Sequence, residues 1–512
     1  MSFVSRLLDR RAFLRVCGSA GVASALLPVV SRRAFGLAAT PDVAHGPAHD
    51  PLRPEYHLMP PHNWMNDPNG PIWWRGKYHL YYQLNPNAAV WGDMHWGHTI
   101  STDMIHWHHE PIPLAPTPGG PDSEGCFSGS AVIYKGVPTI LYTGVQNAQP
   151  DKVTLHDASN KLRETQMLAT AEGTDLLHWN KDPDPVIAAP PAGMDVTGFR
   201  DPCPWQEADG WYLAVGSGER GKGGCALLYR SSDLRHWEYL HPLTQGKPTG
   251  STAPDPVDSG DMWECPDFFE ADKQHCLLYS TQRKVFWTTG NYDRHTHRYA
   301  PARTGILDHG AYYAPKSFLA PGRRRILWGW IPETRPQAEY AAAGWAGAMS
   351  LPRQLGIDPA GHLTMQFAPE VETLREGRIR TVLENKTVRH SLDHLRQEVM
   401  LRATPITSSA TVRLLVDGNS VWSLKLDFAA KQAQCGDRSF TLPAFDPAEP
   451  TLRLFLDASV IETIVGGRQA ITSRCYQFKP GATVLEVSAE GKGGTEFTRW
   501  PLRPISPNRM TT

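Results

Sequence analysis

The sequence has little net charge and no recognisable spacing of metal ligands. Lysine and arginine number 51 against 52 aspartate and glutamate residues, which gives a formal net charge of −1. No long-range field therefore attracts nucleic acid or an anionic membrane, and we predict neither as a partner. None of the eight cysteines stands in a Cys-x-x-Cys pair, and the 21 histidines show no zinc-binding spacing. We expect no metal and no cofactor.

The sequence also lacks, near its N-terminus, an apolar run that spans a bilayer comfortably. Residues 16–30 are modestly apolar but short. They follow the twin arginines Arg10 and Arg11 and precede a segment rich in small residues, 34–39. This pattern is typical of a Tat export signal over residues 1–40, which predicts a periplasmic or extracellular protein with no membrane contact after processing. A basic leader or an amphipathic anchor is the alternative.

Three short acidic motifs dominate the remaining chain. They contain Asp67 in residues 64–70, Asp201 in residues 199–202 and Glu264 in residues 263–267. Each leads into two aromatic and branched runs joined by a turn, which is the pattern of a β-hairpin. Cleaving a glycosidic bond requires two opposed carboxyl groups, and often a third that steadies the charged sugar. The motifs therefore indicate a glycosidase.

The three acids show a common spacing. Each lies 14 residues before an apolar residue of its second strand. Those residues are Tyr81, Val215 and Leu278. We therefore expect the acids at equivalent places in three copies of one unit. Two further copies, 128–142 and 313–328, lack the acid. Five such units predict a five-bladed β-propeller whose inner strands bring the acids together.

Other repeats and the chain length complete the predicted architecture. Asp-x-x-His-Trp occurs at 103–107, 175–179 and 233–237, which we interpret as a structural turn with a packed tryptophan. The 512 residues suit two domains. We predict an all-β protein, with the propeller over 50–365, a short helical linker over 366–380 and a β-sandwich over 381–506.

Several stretches resemble glycoside hydrolase family 32, the invertase, levanase and inulinase group. These stretches are 64–70, 125–130, 199–202, 263–267 and 344–353. The resemblance runs from about His57 to the C-terminus. Many members have tryptophan where this chain has Phe127, which keeps an aromatic surface but loses an indole donor.

The resemblance implies a retaining hydrolase that releases fructose from sucrose or fructans. Asp67 would be the nucleophile, Glu264 the acid and base, and Asp201 a stabiliser of the transition state. The resemblance also implies a set of substrate-binding residues. They are Asn66, Asn69, Gln83, Trp91, Ser128, Gly129, Arg200 and Trp345. Taken alone, residues of these types are more often turn formers or packing residues.

Three other functions stay open at this point. A fructosyltransferase of the same family would differ in excluding water. An inverting propeller glycosidase of the arabinanase or xylosidase type would hold its key carboxyl pair about 6.5–9.5 Å apart. A non-catalytic sugar-binding propeller would lack one of the carboxylates. The sequence leaves open the choice among sucrose, levan and inulin, exo or endo action, and the oligomeric state.

Overall fold

The computed structural model describes residues 47–156, 159–446, 450–507 and 509. The predicted export signal, residues 1–40, lies outside these residues. Within these residues lie two short α-helices, α1 (Pro256–Ser259) and α2 (Gln337–Ala343). Four 3-10 helices cover Pro47–His49, Pro150–Lys152, Pro321–Arg323 and Pro369–Leu374. No helix in this described part is long and apolar enough to cross a membrane.

The first 22 strands form five antiparallel sheets, which we call blades one to five. Blade one contains β1 (Asn63–Trp74), β2 (Lys77–Asn85), β3 (His95–Ser101) and β4 (His108–Leu114). Blade two contains β5 (Gly125–Tyr134), β6 (Val137–Asn147), β7 (Leu162–Glu172) and β8 (His178–Lys181). Blade three contains β9 (Val196–Glu207), β10 (Gly210–Glu219), β11 (Gly223–Ser231) and β12 (Glu238–Gln245). Blade four contains β13 (Glu264–Ala271), β14 (Gln274–Thr281), β15 (Lys284–Asp293) and β16 (Arg298–Asp308). Blade five contains β17 (Tyr313–Ala320), β18 (Arg324–Ile331), the short β20 (Ala348–Met349), β21 (Arg353–Ile357) and β22 (Leu363–Phe367). The short β19 (Trp345–Ala346) precedes β20 in the chain and joins the sheet of blade one in parallel. Of the two short strands, β19 pairs with β1 and β20 with β18.

The first strands of the blades contact one another in a closed ring. Strand β1 lies against β5, β5 against β9, β9 against β13, β13 against β17, and β17 again against β1. Each of these strands is largely buried, because the neighbouring blades cover both of its faces. The ring brings together segments that are far apart in the sequence, and the motif acids all lie on it.

The Asp-x-x-His-Trp repeats form the turns between the third and fourth strands of blades one to three. In blade one, the Asp103 carboxylate accepts the backbone N–H groups of Ile105 and His106, and Met104 has a left-handed φ of 65°. Asp233 makes the same turn in blade three. Trp107 is buried. The structural interpretation of this repeat is confirmed.

The twelve strands after blade five form a β-sandwich. They are β23 (Ile379–Leu383), β24 (Lys386–Leu392), β25 (Arg396–Arg402), β26 (Thr407–Val416), β27 (Asn419–Asp427), β28 (Gln432–Cys435), β29 (Arg438–Thr441), β30 (Leu452–Asp457), β31 (Val460–Val465), β32 (Gln469–Arg474), β33 (Thr483–Gly491) and β34 (Thr495–Pro501). One sheet has the order β32-β31-β30-β25-β34-β23, and the other has the order β24-β33-β26-β27-β28-β29. Leucine and valine side chains such as Val399, Leu414, Leu456 and Leu485 fill the space between them. The predicted all-β fold, a propeller followed by a sandwich, is confirmed.

The two domains share a sheet and a buried ionic cluster. Strand β16 of blade four pairs with β32 of the sandwich at Asp308 and Ala470, so the sheet continues across the junction. Next to this pairing lies a set of charged side chains that are fully or almost fully buried, which we call the interface cluster. Its members are His57, Asp308, Arg353, Asp457 and Glu462.

Candidate active site

Each first strand of a blade is interrupted by a β-bulge at the same end. The ladder shifts register between Met65 and Pro68 in β1, and between Phe127 and Gly129 in β5. The corresponding shifts in the other three blades lie at 200–203, 264–267 and 313–316. A bulge bends its strand and redirects side chains. The five bulges therefore present their residues at one end of the ring.

The acids do not occupy the same position of these bulges. Glu264 pairs with Ser280 just before its bulge, Asp201 is the first bulge residue, and Asp67 is the second. The prediction that the three acids occupy equivalent places is therefore wrong. Relative to the bulge, Asp201 lies one position after Glu264, and Asp67 lies one position after Asp201. Strand β10 is buried over most of its length, so its hydrophobic pattern does not reveal a slip of one residue.

Asp67 is the partly exposed member of the acid cluster, the name we use for Asp67, Asp201, Glu264, Arg200 and Cys265. Its Oδ2 accepts the Ser128 hydroxyl at 2.8 Å, and its Oδ1 accepts the Asn66 amide at 2.9 Å. Burial by the surrounding protein raises the pKa of Asp67, the two hydrogen bonds lower it, and the charge of Glu264 raises it again. Trp64 fixes Asn66 by donating its indole N–H to Asn66 Oδ1 at 2.7 Å.

Asp201 is 3% exposed and lies on the other side of Cys265. Its Oδ2 accepts the Cys265 backbone N–H at 2.8 Å and lies 3.4 Å from the Cys265 sulfur. The same sulfur lies 3.6 Å from Asp67 Oδ2, so one thiol separates the two carboxylates. Burial raises the pKa of Asp201 to about 7, with Arg200 acting against it and Glu264 and Asp67 in the same direction. The left-handed φ of 67° at Asp201 is held by its backbone N–H, which donates to Thr143 Oγ1 at 2.8 Å.

Glu264 is held on both oxygens. Arg200 donates to Oε1 from Nε at 3.2 Å and from Nη2 at 2.9 Å, while the Tyr313 hydroxyl donates to Oε2 at 2.7 Å. Arg200 also pairs with the buried Glu164 at 2.7 Å. Although burial lowers it, the charges of Glu164 and Glu264 hold the pKa of Arg200 well above its ordinary value. This guanidinium is the cation on which the buried acids depend.

Some of the other predicted binding residues contact the acids, and others pack in the wall around them. Asn66, Ser128 and Arg200 contact the acids directly, as described above. Asn69 is fully buried, and its Oδ1 accepts the Gly129 backbone N–H at 3.2 Å, which ties blade one to blade two. Gln83 is also buried and donates to the Cys126 carbonyl at 3.0 Å.

The two predicted tryptophans differ in exposure. Trp91 is 39% exposed, and its ring lies edge-on to Phe127 with centroids 5.9 Å apart. Trp345 is fully buried beneath the Arg335 guanidinium, and its indole donates to Asp50 at 2.8 Å. Trp91 is therefore open to a ligand, whereas Trp345 belongs to the packed wall.

Sequence reasoning missed three residues that hold the acids. They are Tyr313, Glu164 and Thr143. Tyr313 pairs with Trp330 just before the bulge of blade five, which is the position that Glu264 occupies in blade four. The sequence repeat that begins at Tyr313 is the signal that could have identified this residue, because it aligns Tyr313 with Glu264. Glu164 lies on the third strand of blade two, where no motif marks it.

No group of three or more potential metal ligands lies close together in the described ranges. The expected absence of a metal and of a cofactor stays a prediction. The chemistry that can be assigned to this site is that of three carboxyl groups, one guanidinium and their hydrogen-bond donors.

Comparison with known proteins places the chain in a family. The family described as Glycosyl hydrolases family 32 N-terminal domain matches residues 57–367. The chain is 36% identical to the sucrose-6-phosphate hydrolase of Escherichia coli over 459 residues, which cover 83% of this chain and 89% of that protein. It is 34% identical to the raffinose invertase of Escherichia coli over 487 residues, which cover 88% and 95%.

Solved structures agree over almost the whole chain. The GH32 beta-fructofuranosidase BmSUC1 of Bombyx mori superimposes with a TM-score of 0.74 at 28% identity, over 90% of this chain and 96% of that one. The fructan 1-exohydrolase IIa of Cichorium intybus, in complex with 1-kestose, gives a TM-score of 0.73 at 28% identity, over 89% and 98%. The family match, the relatives and the arrangement of the acids agree, and this chain belongs to glycosyl hydrolase family 32.

Proposed function

We propose that this protein is a retaining β-fructofuranosidase that releases fructose from sucrose or fructans. The observation that carries the proposal is the acid cluster, in which Asp67, Asp201 and Glu264 come from three blades. Buried carboxyl groups whose ionisation is disfavoured are typical of catalytic sites. Its relatives in sequence include a sucrose-6-phosphate hydrolase and a raffinose invertase.

Asp67 is the nucleophile in this proposal. It is the partly exposed acid of the three, and Asn66 and Ser128 hold its two oxygens in place. In a double displacement, a carboxylate oxygen attacks the anomeric carbon of the fructosyl unit and forms a covalent ester. The glycosidic oxygen leaves with its electron pair. Water then hydrolyses the ester, so the configuration at the anomeric carbon is retained.

Glu264 is the acid and then the base. It first gives a proton to the leaving glycosidic oxygen and later takes one from the attacking water. The charged Arg200 fork contacts Oε1 and the neutral Tyr313 hydroxyl contacts Oε2, so we assign the proton to Oε2. Arg200 therefore fixes both the orientation of the carboxyl group and the oxygen that reacts.

Asp201 stabilises the positively charged sugar of the transition state without forming a bond to it. Its carboxyl group faces the same thiol as Asp67, and its position is fixed by the Cys265 N–H. A carboxylate this close to the nucleophile, with one thiol between them, can accept hydrogen bonds from hydroxyl groups of the bound sugar ring. These hydrogen bonds strengthen as the ring acquires positive charge.

Sucrose and fructans share a terminal fructosyl unit, and the exposed Trp91 offers a face for the sugar attached to it. Structures of relatives are described in complex with sucrose and with 1-kestose. Aromatic faces suit the apolar faces of sugar rings. We infer that Trp91 and Phe127 contact the leaving group.

Product analysis by chromatography tests the proposal. The mature protein is incubated separately with sucrose, levan and inulin. Release of fructose from any of them supports a β-fructofuranosidase, and the relative rates rank the substrates. Longer products indicate transfer or endo cleavage. Absence of product from all three contradicts the proposal and directs the search to arabinan and xylan.

Export is a second, separate part of the proposal. Residues 1–40 carry the twin-arginine pattern and lie outside the described residues. We infer that they direct Tat export to the periplasm or the medium. N-terminal sequencing of the protein from those fractions tests this, and an intact N-terminus on a cytosolic protein contradicts it.

A further inference from the structure

A buried lysine lies one layer beyond the acids in the ring of first strands. Lys316, on β17, is 2% exposed and follows the bulge of blade five. The residues at the same register position in blades one to four are Pro68, Gly129, Cys203 and Asp267. A lysine is almost never fully buried unless its charge is paired. Its place here requires an explanation.

Lys316 is linked to the acids through the two bulge residues Cys265 and Pro266. Its Nζ donates to the Pro266 carbonyl at 3.1 Å. Pro266 follows Cys265, whose N–H and thiol lie between Asp67 and Asp201. The ammonium therefore fixes the bulge that sets the separation of two catalytic carboxyl groups.

The charge of Lys316 also faces the acid cluster. Although burial lowers it, the pKa of Lys316 lies above its ordinary value because of the charges around it. The groups that face the ammonium are Cys203 and Asp201 on β9 and Cys265 and Asp267 on β13. The backbone N–H of Ser317 donates to Asp267 Oδ2 at 2.9 Å, which joins the two strands at this layer. Lys316 is therefore a cation at neutral pH, placed beneath the carboxyl groups.

We propose that Lys316 is a positioning residue of the reaction, which fixes the Cys265–Pro266 bulge and supplies a second positive charge to the acid cluster beside Arg200. This inference rests on the proposed function. It assigns to the fifth blade, which has no acid of its own, a positive charge that faces Asp201 and a hydrogen bond that holds the bulge beside the nucleophile. A purely structural lysine would affect stability but not the titration of the acids.

The pH dependence of kcat/KM on sucrose tests the proposal in Lys316→Met and Lys316→Gln. Loss of the charge makes the acid cluster, and Asp201 first of all, harder to ionise, so the acidic limb moves to higher pH by at least ~0.5 unit in both. Lys316→Met also loses the hydrogen bond to Pro266, and its kcat falls at least about tenfold. The control is Lys181→Met, which removes a largely buried lysine that is paired with Asp122 in blade two. Its acidic limb stays in place.

A variant that removes a negative charge near Lys316 provides a second test, which does not depend on whether the lysine variants fold. Asp267→Asn removes a negative charge from the same layer and keeps an acceptor for Ser317, so the acidic limb moves to lower pH. An unmoved limb in Asp267→Asn and in any folded Lys316 variant overturns the proposal.

A readout without substrate separates this inference from the proposed function. Carboxyl carbons of Asp67 and Asp201, observed by NMR in the wild type and in Lys316→Gln, report their titration directly. We expect both midpoints to rise in the variant, and unchanged midpoints overturn the role of Lys316. If the wild type releases no fructose, the proposed function fails while this titration still decides the electrostatic role.

Discussion

The acid cluster and the interface cluster are both buried sets of charged side chains, but their carboxyl groups are paired to different degrees. In the interface cluster, Glu462 accepts Leu351 N–H and His57 on one oxygen and two Arg353 nitrogens on the other. Asp308 likewise has donors on both oxygens, among them Arg353. In the acid cluster, Arg200 contacts Glu264, whereas Asp67 accepts the Ser128 hydroxyl and Asp201 the Cys265 N–H, which are neutral donors.

The pKa values respond to this difference. Although burial raises it, Arg353 and His57 hold the pKa of Glu462 below its ordinary value. Burial lowers the pKa of His57, but its hydrogen bonds to Asp457 and Glu462 raise it to about 9. In the acid cluster, burial prevails and the pKa values of Asp67 and Asp201 rise. Burial with full pairing gives a structural cluster, whereas burial with partial pairing gives groups that can exchange protons and bind charge.

The largest expected effect is on turnover when an acid is neutralised. We expect Asp67→Asn and Glu264→Gln each to lower kcat on sucrose by roughly three to five orders of magnitude, because each removes a reacting group. Circular dichroism and the unfolding midpoint should stay near those of the wild type. Near-normal kcat in either purified variant would remove that residue from the mechanism.

The interface cluster is expected to show the reverse behaviour. Glu462→Gln leaves His57 and Arg353 without a full counter-charge, so we expect the free energy of unfolding to fall by about 3–5 kcal/mol. Turnover per folded molecule should be unchanged. The matched control is Glu270→Gln, which breaks the exposed pair with Arg294 and should cost less than about 1 kcal/mol. Equal losses in urea unfolding of the two variants would contradict the comparison.

Asp201→Asn should lose activity and gain stability at high pH. The raised pKa means that the folded protein resists ionisation of this carboxyl group below about pH 7. The wild type therefore loses stability as the pH rises from about 4 through about 7. The Asn variant does not lose stability in this way. The difference in free energy of unfolding between the variant and the wild type therefore grows from near zero at pH 4 to at most about 4 kcal/mol at pH 8. Urea unfolding across this range measures it, and a variant less stable than the wild type at pH 8 would argue against an unfavourably buried carboxylate.

The smallest expected effect is at the rim of the pocket. Trp91→Ala removes an exposed aromatic face whose contact with the leaving sugar contributes about 1 kcal/mol of binding free energy. We therefore expect KM for sucrose to rise roughly fivefold with kcat little changed. Initial-rate kinetics measures both constants. A fall in kcat with constant KM would place Trp91 in the chemistry rather than in binding of the leaving group.

Much of the fold was predictable because its units repeat. Aromatic hairpins and the Asp-x-x-His-Trp turns mark the blades locally, and alternating strands mark the sandwich. Register was not predictable, since a strand buried on both faces has no polar side that reveals a slip of one residue. The acids were found because each stands in a local motif.

Residues whose partners are distant in sequence were not predictable. Asp308 is fully buried against Arg353 of another blade and Thr472 of the sandwich domain, and both partners are distant in the sequence. Glu164 and Thr143 hold Arg200 and Asp201 from neighbouring strands without any motif of their own. Trp345 has the type of a sugar platform, and only the packing of Arg335 shows that it is covered. Such contacts arise from the closure of the ring, which no local pattern encodes.

Trapping of a covalent intermediate tests the central claim most directly. Glu264→Gln, supplied with a fructoside whose leaving group needs no protonation, should accumulate an ester because its hydrolysis is slow. Mass spectrometry of the digested protein should then place one hexosyl unit on Asp67. An adduct on another residue, or rapid turnover of this substrate with no adduct, would contradict a double displacement at Asp67.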